Sequence, residues 1–385
     1  MRQAAVAYRG ALRSTFRLVL LWVLPMLVFA GVFSWRVLFP STPAAGPAMN
    51  PLQNAPDPAF SERIIQALAM RSDPLAEYFR IKPLSLQGHF YNLSDIKIGR
   101  KNLAIIDDSP EPGVSLYDLQ GNFKTKLGSA GSGPGKYVTP SDVAIGDSVA
   151  AISDFTIKRI NVFSVNGTLL KSFVYGPQQF SASAVALNQR SGQFLLFGNK
   201  WKAKEGGDIL FIHEYTGDGR YLRSSFSLPK QGQELGLQVY DQPVIRHVSQ
   251  SIWFMLPWDY RVFSISSDGS IAVVFHPQPP SSFKPPLSRP PMTSFATFQH
   301  WTMSWTPVIS FASQGSDLLV ETQCFCQARY NVDVWSLPTG HLHRRFSTNW
   351  KLLGYDDPYF YFARDDLHGD GKHSYEFKKA ILDIK

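Results

Sequence analysis

Cysteine is almost missing from this 385-residue chain, and charge is sparse: two thiols occur, Cys324 and Cys326, and charged residues make up 18%. Two thiols cannot staple a fold of this length. Their Cys-Phe-Cys spacing puts both on one face of an extended strand, poorly placed to bridge each other. They read as packing thiols, with a partner-linked or soft-metal pair as the alternative, since two thiolates are half of a zinc site. Also absent are the Gly-x-Ser-x-Gly elbow, the His-Glu-x-x-His helix and the phosphate-cradling Gly-x-x-x-x-Gly-Lys-Ser/Thr, which removes the usual hydrolase and nucleotide signatures.

Acidic residues are missing from the first forty positions, which hold Arg2, Arg9, Arg13, Arg17 and Arg36. These arginines explain most of the formal charge of +8; residues 41–385 keep 33 basic and 30 acidic side chains. A near-neutral body has no electrostatic footprint for a phosphate backbone, so nucleic acid is not an expected partner.

The one long apolar run is Leu18–Trp35, eighteen residues without a charge, eleven of them Leu, Val or Phe. On the insertion scale those eleven favour a bilayer by roughly 3–6 kcal/mol, and the length is near the lower limit for spanning it as a helix. Four arginines precede the run and one follows, so the positive-inside rule leaves residues 1–17 in the cytoplasm and sends the body across. The expectation is a single-pass anchor in a bacterial cytoplasmic membrane, with the body in the periplasm or outside. The alternative is a cleaved signal peptide, for which the run is long and no clean Ala-x-Ala site follows. Residues 36–84 read as a Pro-rich linker with a short helix capped by Ser61.

Residues 85–385 alternate short apolar runs with turn residues. One pattern recurs five times, a strand, a tight glycine turn and a returning strand: Val114–Leu127, Ile160–Phe173, Ile212–Phe226, Tyr260–Phe275 and Val332–Phe346, with turn glycines Gly121, Gly167, Gly219, Gly269 and Gly340. A hairpin plus two more strands in each period of about fifty residues is the pattern of a propeller blade. A degenerate sixth unit spans Tyr355–Ile384. The fold class expected is therefore all-β, a six-bladed β-propeller after one transmembrane helix. A strand from near Leu84–Tyr91 would join the C-terminal strands in one blade and so remove both free edges.

Leu127–Phe173 resembles an NHL repeat. The resemblance lies in the Gly-rich lead-in at Gly131, Gly133, Pro134 and Gly135, then Pro140, Asp142, Val143 and Asp154, and the Arg159-Ile160-x-Val162-Phe163 strand before Asn166-Gly167. Asp259, Arg261 and Tyr260–Phe263 form a shorter echo. Such families imply a six-bladed ring serving mostly as a platform for proteins, glycans or nucleic acids, with a minority using a channel metal for hydrolase or lyase chemistry.

Loops joining second to third strands share one face with the crossovers between blades. That face collects the longest insertion, His276–Met292, and the aromatics Trp201, Trp258, Tyr260 and Trp301 beside Arg261, which are the expected contact residues for an extracytoplasmic protein or glycan. The alternative is that the prolines form a flap and the tryptophans fill the core. The densest polar cluster is Ala363–Tyr375, where Asp366, His368, Asp370 and His373 can offer ligands to a divalent ion, although Asp370-Gly371 equally reads as a hairpin turn. No catalytic residue stands out and no cofactor is expected. A binding or assembly module is the first reading, and a metal-dependent hydrolase or lyase with its site in the central channel is the second.

Overall fold

The computed structural model describes residues 75–383 apart from 89, 91, 109–110, 176–179, 199–208, 235–241, 287, 289–296, 298–299, 302, 325–328 and 368–372. The expected membrane helix 18–35 and the linker up to residue 74 thus lie outside the described residues. Among the described residues no helix is long and apolar enough to cross a membrane.

A short helix α1 (Leu75–Tyr78) and strand β1 (Phe79–Pro83) precede blade 1, which comprises β2 (Leu93–Ile98), β3 (Asn102–Asp107), β4 (Gly113–Asp118) and β5 (Phe123–Lys126). A small parallel pair, β6 (Ser129–Ala130) and β7 (Lys136–Tyr137), leads into blade 2: β8 (Pro140–Ile145), β9 (Val149–Asp154), β10 (Arg159–Ser164) and β11 (Leu169–Val174). Blade 3 is β12 (Ala184–Asn188), β13 (Gln193–Phe197), β14 (Leu210–Tyr215) and β15 (Tyr221–Ser227). After helix α2 (Lys230–Glu234), blade 4 is β16 (Val244–Val248), β17 (Ser251–Met255), β18 (Val262–Ile265) and β19 (Ile271–Phe275). Blade 5 is β20 (Val308–Gln314), β21 (Asp317–Cys324), β22 (Arg329–Ser336) and β23 (Leu342–Thr348), and the chain finishes with β24 (Lys351–Asp356), β25 (Tyr359–Leu367) and β26 (His373–Leu382).

Blades 1 to 5 are antiparallel sheets hydrogen-bonded in chain order from axis to rim. Contacts between neighbouring sheets, mostly through innermost strands, close the six into a ring. Both faces of each sheet are covered by neighbours, which is why middle strands such as β13 (QFLLF) read as continuous apolar runs. The core is divided accordingly into six clusters, one at each blade interface: Ile106, Leu116, Tyr137 and Phe163 fill that between blades 1 and 2, and Phe197, Phe211, Phe254 and Phe263 that between 3 and 4.

All five repeated hairpins are the third and fourth strands of their blades, and all five turn glycines have positive φ. At Gly219 (φ +85°) a second constraint applies, because an added Cβ would stand 2.5 Å from Cγ of Phe173 on the outer strand of blade 2. The hairpin tip of one blade thus sits on the outer strand of the one before.

Blade 6 has the order β24-β25-β26-β1, so the N-terminal strand is its outermost member. The closing strand is Phe79–Pro83 rather than one near Leu84–Tyr91, and the propeller begins ahead of residue 85. Packing decides this: Phe79 is buried against Phe346, Phe360 and Phe362 at ring distances of 5.9, 5.9 and 5.3 Å. The chain then crosses to blade 1, where Gln87 N donates to Gly121 O at 3.1 Å.

Candidate functional site at the propeller axis

Four of the six innermost strands, β2, β8, β20 and β24, have a bulge near their start, and the residues that resume the ladder are Asp95, Asp142, Ser310 and Gly354. A bulge re-aims a side chain. In blades 1 and 2 the same local arrangement recurs: Asp95 Oδ1 accepts from Ile96 N, and Asp142 Oδ1 from Val143 N, both at 2.8 Å.

Lys97, two residues further along β2, stands between the two carboxylates. Its Nζ is 3.1 Å from Asp95 Oδ2 and 3.0 Å from Asp142 Oδ1. Asp142 Oδ2 accepts from Val185 N of blade 3 at 2.8 Å, so one ion pair and one hydrogen bond link three blades. Arg246 of β16 links the other three. Its Nε donates to Phe311 O (2.9 Å), while Nη2 donates to Ser310 Oγ (2.9 Å) and to Leu353 O of blade 6 (2.7 Å). At Gly354 beside it, an added Cβ would crowd Ile98 at 3.3 Å and touch Arg246 Nε at an ordinary 3.6 Å. From β21, Glu321 turns both carboxylate oxygens to Leu352 N, at 2.8 and 3.0 Å.

Burial and neighbouring charge compete at each group. Burial opposes ionisation of Asp95, but Lys97, Lys351 and Arg246 outweigh it and hold the carboxyl below its usual value. Burial works against the Lys97 ammonium too, and Asp142 with Asp95 more than restores it. Asp142 is pushed up by burial, pulled back by Lys97 and pushed again by Asp95, and settles at about 6. Burial carries Glu321 well above the carboxylate range and lowers Arg246. The axis is therefore a mixed cluster in which fixed cations face acids.

This cluster does not fit a divalent ion. The point where the carboxylates of Asp95 and Asp142 converge holds an ammonium from the chain itself, and among the described residues no group of three or more His, Cys, Asp or Glu side chains could hold a metal. His247, the histidine of an innermost strand, has an exposed side chain beside the turn at Ser249.

The residues expected to form an exposed contact patch are placed otherwise. Trp258, Tyr260 and Trp301 are buried at 4%, 2% and 4% exposure, which corrects that expectation. Trp258 lies over Gly232 of α2. Tyr260 donates to Asp333 Oδ2 at 2.8 Å and meets the tilted ring of Phe283 at 5.0 Å, and Trp301 Nε1 donates to Ser288 O at 2.6 Å. The Pro-rich insertion contributes to this: its Phe283 lies against Tyr260 and its Ser288 O takes the Trp301 indole N–H, while Pro277, Pro280 and Pro286 are themselves buried. Arg261 folds back onto Asp259 through Nε at 2.8 and 3.0 Å. Trp201 lies outside the described residues, as do His368, Asp370, Cys326 and the side chains of Asp366 and Cys324. His373 is described; its Nδ1 is 2.8 Å from Asp365 Oδ1, and its Nε2 is buried without a hydrogen-bond partner.

Sequence reasoning named Asp142 only through the repeat resemblance and missed Asp95, Lys97, Arg246 and Glu321. A partial signal existed: Lys97 stands between Ile96 and Ile98 in LSDIKI, and Arg246 follows Val244 and Ile245 in VIRHV.

The profile of a family described as "6-bladed beta-propeller" matches residues 75–281. Among solved structures, one similar chain is a Bacteroides fragilis protein named for its predicted export, 12% identical, with a TM-score of 0.57 over 82% of this chain and 98% of that one. Another is a duf4221 family member from Bacteroides vulgatus, 7% identical, with a TM-score of 0.53 over 80% and 99%. These likenesses are of fold. No curated protein matches the sequence.

Proposed function

Because the chain belongs to that 6-bladed beta-propeller family, and a propeller takes its role from the site it carries rather than from its fold, we propose that it is a membrane-tethered, extracytoplasmic, NHL-like binding or assembly module. The observation that carries this reading is Lys97. A channel that works on a metal needs its converging acids free, and here Asp95 and Asp142 are engaged by an ammonium 3.1 and 3.0 Å away. Arg246 likewise gives its donors to the backbone and Ser310 of blades 5 and 6. The axis holds the ring together, and recognition of a protein or glycan falls to the loops and strands around it. The arginine-flanked run Leu18–Trp35 supplies the tether and sends the body across the membrane.

The test is elemental analysis of the purified full-length chain, dialysed without chelator, beside an Asp142→Asn variant. A folded protein without stoichiometric metal is the expected result. A stoichiometric divalent ion that disappears in Asp142→Asn would overturn the binding reading in favour of the channel hydrolase or lyase. Proteolysis of intact and permeabilised spheroplasts tests the address: cleavage of the body only after permeabilisation would place it in the cytoplasm and sink the extracytoplasmic assignment.

A further inference from the structure

The six outermost strands, FRIKP, FKTK, LLKSFV, YLRSSFS, IAVVF and LHRRFST, contain eight Lys or Arg residues and no Asp or Glu. The body as a whole is near neutral, so this segregation is a property of the rim. It is also uneven around the ring. Six of the eight lie on three consecutive blades: Arg344 and Arg345 on blade 5, Arg80 and Lys82 on blade 6, Lys124 and Lys126 on blade 1. All six residues are exposed. Blades 2 to 4 carry most of the exposed apolar side chains of the rim, Leu169, Leu170, Val174, Leu222, Val273 and Val274, to which blade 1 adds Phe123.

Edge protection alone does not account for the pattern. Charged side chains, lysine above all, discourage strand pairing at a free edge, but that need is the same on every blade and does not concentrate six of the eight on three of them. Some of the basic charge is met locally, as where Arg345 Nε pairs with Asp333 Oδ1 at 2.5 Å, and Arg80 lies a loose 3.9 Å from Asp383. Among the described residues Lys82 and Lys124 meet neutral partners, Tyr359 Oη at 3.2 Å and Asn102 Oδ1 at 2.8 Å, and neither has an acid in salt-bridge reach.

The middle of this basic arc is β1, the strand that directly continues residues 1–74. We propose that the rim of blades 5, 6 and 1 rests against anionic phospholipid headgroups of the membrane that holds the tether. The proposal builds on the anchor reading above. The tether delivers the outer strand of blade 6 to the bilayer first, and each basic side chain near an anionic surface adds attraction that fades within a Debye length. The apolar arc on blades 2 to 4 then points away from the tether.

Full-length chain in phosphatidylcholine vesicles, with and without phosphatidylglycerol, tests this by acetylation with a membrane-impermeant amine reagent read by mass spectrometry. Lys82, Lys124 and Lys126 are expected to react at least about threefold more slowly when phosphatidylglycerol is present, a difference that high salt removes. Lys230, on α2 between blades 3 and 4, should react equally in both. The variant Lys82→Glu/Lys124→Glu/Lys126→Glu, read at Lys378 and Lys379 of blade 6, should lose the lipid dependence. Equal reactivity of Lys82, Lys124 and Lys126 in the two vesicle types overturns the proposal. An alkaline carbonate wash of the same samples separates it from the anchor: chain released by carbonate sinks the tether, whereas chain retained with unprotected lysines sinks only the rim.

Discussion

The guanidinium of Arg246 on blade 4 donates to the backbone carbonyl of Leu353 on blade 6, 2.7 Å away, and passes Ser310 of blade 5 on the way. One side chain thereby ties its own innermost strand to those of the next two blades. On the other half of the ring, Lys97 and Asp142 do the corresponding work for blades 1 to 3. Between them these side chains tie the innermost strands of all six blades.

Replacing Lys97 with Met keeps the length of the side chain and removes the ammonium shared by Asp95 and Asp142. Breaking a buried ion pair from one side leaves uncompensated charge, and the expected loss is about 3–5 kcal/mol of unfolding free energy. Urea denaturation of wild type and variant reads it. A loss below about 1 kcal/mol would mean that the acids find other partners.

The Asp142 carboxyl, raised to about 6, makes stability depend on pH in a defined window. Between the unfolded value near 4 and the folded value near 6, the native state keeps a proton that the unfolded chain has lost. Stability from this group therefore falls as pH rises through that window, by up to about 3 kcal/mol. Asp142→Asn should flatten the slope of unfolding free energy against pH between 4 and 6, whatever its absolute cost. An unchanged slope would assign the pH dependence elsewhere.

Gly219 and Gly340 occupy equivalent hairpin turns with φ of +85° and +65°, yet a Cβ at Gly219 meets Phe173 while one at Gly340 meets nothing within 4 Å. Gly340→Ala should cost only the left-handed backbone, about 1 kcal/mol, whereas Gly219→Ala adds overpacking and should cost about 2–4 kcal/mol. Thermal unfolding of the two variants side by side checks the difference.

Phe79→Ala removes the ring that fixes β1 in blade 6 and should destabilise by about 3–5 kcal/mol. Hydrogen exchange should show the loss of protection concentrated in β1 and β26. A uniform loss over all six blades would mean that the seam is no weaker than the rest of the ring.

The hairpins were legible because each packs its information locally: a glycine turn flanked by alternating strands, repeated five times from Val114 to Phe346. Joining of the termini in one blade followed from the need to cover free edges. The identity of the closing strand did not, because Phe79 is recognised by Phe346, Phe360 and Phe362, nearly three hundred residues away in sequence. The axial cluster was hidden for the same reason: Lys97, Asp142, Arg246 and Glu321 lie on four different strands, each one polar residue among others, until the ring brings them together. Trp258, Tyr260 and Trp301 misled in the opposite direction. Their loops are on the expected face, but a sequence does not show that Phe283 lies against Tyr260, that Ser288 takes the Trp301 indole N–H, or that Trp258 is set against Gly232.

The pairing of Phe79 with Leu382 has a consequence for how the molecule is made. During synthesis β1 emerges almost first and its partner β26 almost last, so five residues wait with an open backbone edge while the other blades are assembled. Such an edge invites pairing with the wrong chain. The strand is short, carries Arg80 and Lys82, and ends in Pro83, whose nitrogen has no proton to offer. The same residues that close the finished ring are suited to keeping its first strand solitary until the last one arrives.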